Sequence, residues 1–501
     1  MRRILLPLLL SFAVLNANSQ ISRLGENVRY SFAVQGTAGG GDTAPFWFTN
    51  NRYGLGTTEN FSGLARVALW RTVETDSIWF WRMGYGVDLA SPINGENGYF
   101  CIQQAYADIE WRMLRLSIGQ KERPSEFKNP YLSTGGMTMG INARPIPQIR
   151  AEMPDFWRVP GTRGIFSFKG HLAYGLYTDD SWQRKFNAGT SNIYTSGSMF
   201  HSKALFLRFG NRELFPLEVS GGLEMACQFG GTGYNIPQYA GGLLAQEIEL
   251  GGNVFNAFFP SGGDVNDENY TNAAGNQLGS WHLRFDWIKK DWKVGVYMEH
   301  FFEDHSQMLF QYGWKDIMLG LELNLCKNPF VTAILYEYNT TMHQSGPLYH
   351  DKTVENPLQI SGQDDYYRNH IYGAWQMNGF SLGNPLFLSP MYNTYIGSKG
   401  NLTPQHNRVQ VHHLALMGNP SLEWSWRIMY THQYSLGTYT KPTINPCNGN
   451  YILVETTYNP KWASGLSMTV SYGHNDGNLL GNSNGAMLTV KFNGWLNRTQ
   501  W

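Results

Sequence analysis

Apolar and polar residues alternate with a period of two along much of the chain. Trp281, Leu283, Phe285 and Trp287 share one face of an extended segment, and His282, Arg284 and Asp286 share the other. Ile317, Leu319, Leu321, Leu323 and Leu325 alternate with Gly320, Glu322 and Asn324, and Trp81, Met83, Tyr85, Val87 and Leu89 with Arg82, Gly84, Gly86 and Asp88. Leu217 through Phe229 repeats the pattern against Glu218, Ser220, Gly222 and Glu224, and Trp462 to Tyr472 against small or polar partners from Ala463 to Ser471. A period of two predicts strands with one face against an apolar medium and the other against water.

A soluble β-sandwich also alternates, so the connections decide between the two. Very short turns (Glu74–Ser77, Lys289–Asp291, Lys327–Pro329, Gly418–Leu422, Asn459–Pro460) interleave with long polar or glycine-rich segments at 37–60, 121–162, 230–278, 340–407 and 437–450. Outer-membrane barrels show this asymmetry, with tight periplasmic turns and long outer loops. Asn-Pro in three of the turns fits, because proline sets a turn dihedral and ends the ladder. The count is about eighteen strands, an even number that leaves both termini in the periplasm. The expected fold is therefore all-β: a transmembrane antiparallel outer-membrane β-barrel whose long extracellular loops fold over or into the lumen.

Composition agrees. Charged residues are only 15%, aromatics reach 15%, glycines number 55 of 501 and the net charge is zero. Zero net charge gives no reason to expect nucleic acid as a partner. After residue 20 no apolar run is long enough for a transmembrane helix. Arg2 and Arg3 followed by apolar Ile4 to Val14 read as a signal peptide, with Ala17-Asn18-Ser19 as the cleavage site, which assigns 1–19 to the signal and 20–501 to a single barrel domain. No cysteine stands directly after that site (the first is Cys101), so no lipid anchor is expected. Cys101, Cys227, Cys326 and Cys447 follow no metal-ligand spacing and are read as free thiols, although an oxidising periplasm would allow a disulfide. Trp70, Trp79, Trp81, Trp287, Trp292 and Trp462, near strand ends, are read as girdle residues at the lipid interface.

Several loop segments resemble one family. Leu132-Ser133-Thr134-Gly135-Gly136-Met137-Thr138-Met139, Asn142-Ala143-Arg144-Pro145-Ile146-Pro147-Gln148 and Gly275-Asn276-Gln277-Leu278-Gly279-Ser280-Trp281 look like the capsule-assembly outer-membrane proteins called Wzi, in the wording found in Bacteroidetes. So do Glu299-His300-Phe301-Phe302-Glu303-Asp304-His305-Ser306, Lys327-Asn328-Pro329-Phe330 with Tyr336-Glu337-Tyr338, and Gly383-Asn384-Pro385-Leu386. The resemblance implies an eighteen-stranded, largely occluded barrel in the outer membrane. It further implies a monomeric lectin that anchors capsular or other surface polysaccharide, with no enzymatic activity and no cofactor. Enterobacterial members carry a helical periplasmic element, and every inner turn here is too short to hold one.

Glu299, His300, Glu303, Asp304 and His305 look catalytic at first sight, but consecutive side chains on an extended segment point apart, and no H-E-x-x-H motif is present. A hydrogen-bonded network that fixes a loop at the outer mouth is the preferred reading, ahead of polysaccharide contact. Arg144 either faces a saccharide carboxylate or, as preferred, staples its loop to lumen carboxylates such as Glu218 or Glu322. The 340–407 loop holds Asp364, Asp365, Tyr366, Tyr367, Arg368, Trp375 and Tyr392, flat aromatics beside polar groups. That set suits sugar rings and hydroxyls, and it equally suits the loop's own core. The alternative function is a porin or substrate channel. A water-filled pore would keep charged rings at its constriction, whereas the inward positions are often Gly, Ser and Thr.

Overall fold

The computed structural model describes residues 24–76, 81–95, 100–236, 246–249, 257–258, 275–303, 308, 315–344, 365–369 and 371–498. The expected signal segment lies outside them. Eighteen strands form one antiparallel sheet: β1 Arg29–Gly41, β2 Phe61–Arg71, β3 Trp81–Ile93, β4 Cys101–Trp111, β5 Leu114–Gln120, β6 Gln148–Arg158, β7 Phe166–Leu176, β8 Met199–Phe209, β9 Leu217–Phe229, β10 Asn276–Ile288, β11 Trp292–Glu303, β12 Ile317–Leu325, β13 Ala333–Thr340, β14 Val409–Gly418, β15 Trp424–Gly437, β16 Pro442–Tyr458, β17 Leu466–Gly477 and β18 Ser483–Trp495. β1 pairs with β2 on one side and β18 on the other, so the sheet closes and has no edge.

The period-two pattern sets the two faces. Phe32, Val34, Val67, Leu69, Val87, Leu205, Leu319, Leu321 and Val470 stand exposed around the outside, where an apolar band meets lipid. Trp81, Trp287, Trp292 and Trp462 face outward at the short-turn end, and Trp111 stacks on Trp81 at 6.1 Å. Trp70 departs from the expected girdle. It sits one residue from outward Leu69, in register with Gly86, and so turns inward. Trp79 lies outside the described residues. All four cysteines are free thiols.

Two expected loops give up long stretches to barrel strands. β6 occupies the end of the 121–162 segment, hidden in the sequence because Pro154 interrupts its alternation and its register slips between Met153 and Trp157. The 437–450 segment is mostly β16, which leaves only Thr438–Lys441 as a turn. Its Pro442 and Pro446 lie before Gly449, where pairing to β17 begins, so the prolines fall where one side of the strand lacks a ladder.

The barrel is filled. Residues 42–60, 121–147, 365–369 and 371–408 fold inward, and Phe46, Trp47, Leu132, Met137, Trp375, Phe380, Phe387 and Tyr392 join Val411, Met429 and Tyr451 of the wall in one apolar core. The opposite wall carries more charge than the Gly, Ser and Thr positions suggested, in pairs such as Arg66–Asp88, Lys121–Asp108, Arg115–Glu110 and Arg150–Glu152.

Candidate functional site

Two features compete for a role: the junction where the plug docks on the wall, and the outer face of the plug. At the junction, Glu337 on β13 accepts hydrogen bonds from Ser133 Oγ at 2.6 Å, Thr134 N at 2.8 Å and Thr134 Oγ1 at 2.7 Å, and also from the Tyr297 hydroxyl. Glu299 on β11, fully buried, accepts from Met137 N at 2.7 Å and pairs with Lys128 at 2.9 Å. Glu303 accepts from Tyr367 N at 2.6 Å, and His413 Nε2 donates to the Leu132 carbonyl at 2.7 Å. Asn384 bridges the two plug segments, donating to Thr134 Oγ1 and the Gly135 carbonyl. Gly383 is obligatory beside it, because a Cβ there would overlap the Tyr367 hydroxyl and the Met137 carbonyl.

The sequence-predicted residues divide between these features. Tyr366, Tyr367, Trp375 and Tyr392 are fully buried. Tyr366 donates to Asp316, Trp375 Nε1 to the Thr138 carbonyl at 2.9 Å, and Tyr392 accepts from Asn50 at 2.9 Å. Of the two readings for these aromatics, the geometry places them in the loop's own core. Burial pushes the Tyr367 and Tyr392 phenols up, as it does the carboxyl of Asp316. His300 donates from Nδ1 to the Asp316 carbonyl at 2.9 Å, so Glu299, His300 and Glu303 together hold loops at the mouth. Arg144 departs from its expected staple. It donates to the Ile102 carbonyl at 2.9 Å, while Glu322 is taken by Arg284 at 2.8 Å and Glu218 lies beside Arg208. Asp364, Asp304 and His305 lie outside the described residues. Among the described residues no three His, Cys, Asp or Glu side chains cluster to hold a metal.

Asp365 and Arg368 take the other position, at the outer surface. Arg368 pairs with Asp365 at 3.2 Å and reaches Thr438 Oγ1 at 3.1 Å and the Thr440 hydroxyl on the β15–β16 turn. Burial raises the Asp365 carboxyl, and Arg368 partly offsets this. On the same turn Tyr439 lies under the Arg408 guanidinium at 4.2 Å and donates to the His343 carbonyl at 2.7 Å. The result is a patch in which Thr440 is exposed, the Tyr439 ring, the Arg368 and Arg408 guanidinium groups and the Asp365 carboxyl are half-buried, and Thr438 is buried beneath them.

No family model matches the chain, and no curated protein matches it. Solved structures do. The chain resembles Wzi of Escherichia coli, an outer-membrane protein involved in group 1 capsule assembly and a carbohydrate-binding β-barrel, with a TM-score of 0.52 and 13% identity over 95% of this chain and 86% of that one. OccD3 of Pseudomonas aeruginosa matches at a TM-score of 0.44 and 9% identity, over 94% of this chain and 92% of that one. Among the described residues, no helix is long and apolar enough to cross a membrane. The fold is that of outer-membrane barrels.

Within that fold, four segments singled out in the sequence meet at the junction: Ser133, Thr134 and Met137 on Glu337 and Glu299, with Asn384 across them. Tyr439, Arg408 and Thr440 carried no such signal. An aromatic flanked by two threonines in an outer turn was the cue available for them.

Proposed function

We propose that the protein is a surface lectin that binds and anchors capsular or other extracellular polysaccharide. The observation that carries the reading is the plug: loops from the outer side fill the lumen with an apolar core and present Arg368, Asp365, Thr440, Tyr439 and Arg408 outward. Sugars offer apolar ring faces and hydroxyls, so a flat ring with fixed donors and acceptors beside it suits them. The fold likeness to a carbohydrate-binding barrel supports the same reading. Such a site is weak alone, and a repeating polymer gains by multivalency. The porin alternative would need an open lumen.

The test uses detergent-purified full-length protein and polysaccharide from the parent cells, read by biolayer interferometry. Tyr439→Ala with Arg408→Ala should weaken polymer binding at least tenfold, with heat-modifiable migration kept. Unchanged binding by a folded double variant moves the site elsewhere. No polysaccharide binding by the parent removes the lectin reading.

A further inference from the structure

The plug meets the wall unevenly. Against β13 to β16 an apolar core packs around a few buried hydrogen bonds, whereas beside β5 to β9 two polar cavities lie one above the other. The upper one, about 80 Å³, has Lys121, Arg123, Arg144, Arg150 and His171 in its lining, against Glu126 and Glu224. A cavity needs roughly 10–15 Å³ to admit one water, so this one has room for more than one. The lower one, about 620 Å³, opens toward the short-turn end and is lined by Arg158, Lys169 and Arg208 on β6 to β8. Its acids are Asp155 on β6 and Glu218, Asp286 and Glu322 on β9, β10 and β12, the last three beside Arg208, Lys293 and Arg284.

One layer of side chains separates them. On β7, His171 lines the upper cavity and Lys169 the lower, about 7 Å apart along the strand. Between them Lys169 pairs with Glu126 of the plug, flanked by the rings of Phe127 and Phe206, each 5.5 Å from its ammonium.

We propose that these cavities are two halves of an anion-conducting seam beside the plug, held shut by the Glu126–Lys169 pair. The permeant class is small inorganic anions, because lysines and arginines outnumber acids in the lining of both cavities, with Asp108 and Glu152 pairing Lys121 and Arg150 from behind. Glu126 is the movable half, since it sits on a loop while Lys169 sits in the sheet. The pair lies within a ring-lined layer only one residue thick, so breaking it joins the two cavities without unseating the apolar side of the plug.

Planar bilayers in potassium chloride test this with full-length protein. The parent should be nearly silent. Glu126→Gln should raise integrated current at least tenfold, in small steps whose reversal potential in a salt gradient lies on the chloride side. Lys169→Met should also open the seam, with weaker preference for chloride. Heat-modifiable migration confirms that each variant is folded. Two folded, silent variants overturn the proposal, and so does a cation-selective current. A large non-selective conductance from Glu126→Gln overturns it too, since the whole plug would then have left.

Discussion

Glu337→Ala tests how the plug is held. The carboxylate accepts from Ser133 Oγ, Thr134 N, Thr134 Oγ1 and the Tyr297 hydroxyl, all buried inside the barrel. A hydrogen bond to a charged group contributes about 1.5–3 kcal/mol, and each buried donor left unpaired costs about 1–3 kcal/mol. These contributions share one acceptor and do not add, so truncation should weaken docking of the 132–138 segment by about 4–6 kcal/mol. The wall should survive, because the β13 backbone keeps its ladders to β12 and β14. Hydrogen exchange read by mass spectrometry on detergent-solubilised protein measures the effect. Protection across 132–138 should fall about a thousandfold or more at ~1.4 kcal/mol per decade, while β13 peptides change little. Glu337→Gln, which keeps one carbonyl acceptor, should fall between. Unchanged protection in folded Glu337→Ala would refute the reasoning and assign docking to the packing of Leu132 and Met137 instead.

Leu321→Arg, on the outward face of β12, should cost about 2–4 kcal/mol of folding stability in vesicles near the bilayer midplane. A guanidine titration showing no loss would mean that this face does not meet lipid. The second concerns His406, whose imidazole is held near neutral form by burial, with its pKa lowered to about 4. The unfolded group titrates near ~6.5, so between these values the unfolded state binds the extra proton and stability falls as pH falls. The raised carboxyls of Asp316 and Asp365 act in the opposite sense at acid pH. The readout is therefore the difference between parent and His406→Gln: exchange at 403–408, corrected for intrinsic rate, should rise between pH 7 and 4.5 in the parent only. Equal acid sensitivity in both would assign the effect to other groups.

The wall was legible because the lipid and lumen faces impose a strict period of two, as at Trp281 to Trp287. It failed where a local feature broke that period, at Pro154 in β6 and at Pro442 and Pro446 in β16. The plug was legible only as length and aromatic content. Whether Tyr366 or Trp375 faces sugar or packs inward depends on contacts with Asp316 and Thr138, which no local pattern encodes. Glu299 and Glu303 could be read as a loop network because charge in a strand near the outer mouth needs a partner. Arg144 could not be assigned, because nearer carbonyls and cations had already satisfied every candidate.

Four segments singled out in the sequence converge for a structural reason. Ser133, Thr134, Met137, Glu299, Glu337 and Asn384 come from four separated stretches, yet they meet at one junction whose work is to seat the plug. Their chemistry is fixed by that fit: a one-atom change at Gly383 would collide with Tyr367, and loss of a carboxylate would strand buried donors. No sugar contact is required of any of them. The outer patch is built on different rules. Tyr439, Thr440 and Arg408 sit on a short turn and at a strand end, where substitution leaves both barrel ladder and plug junction intact. A barrel organised in this way keeps its plug seated whatever side chains the outer turn carries. It follows that the junction residues speak for architecture, and that the proposed polysaccharide site is to be tested in the turn after β15 and in the loop that carries Asp365 and Arg368.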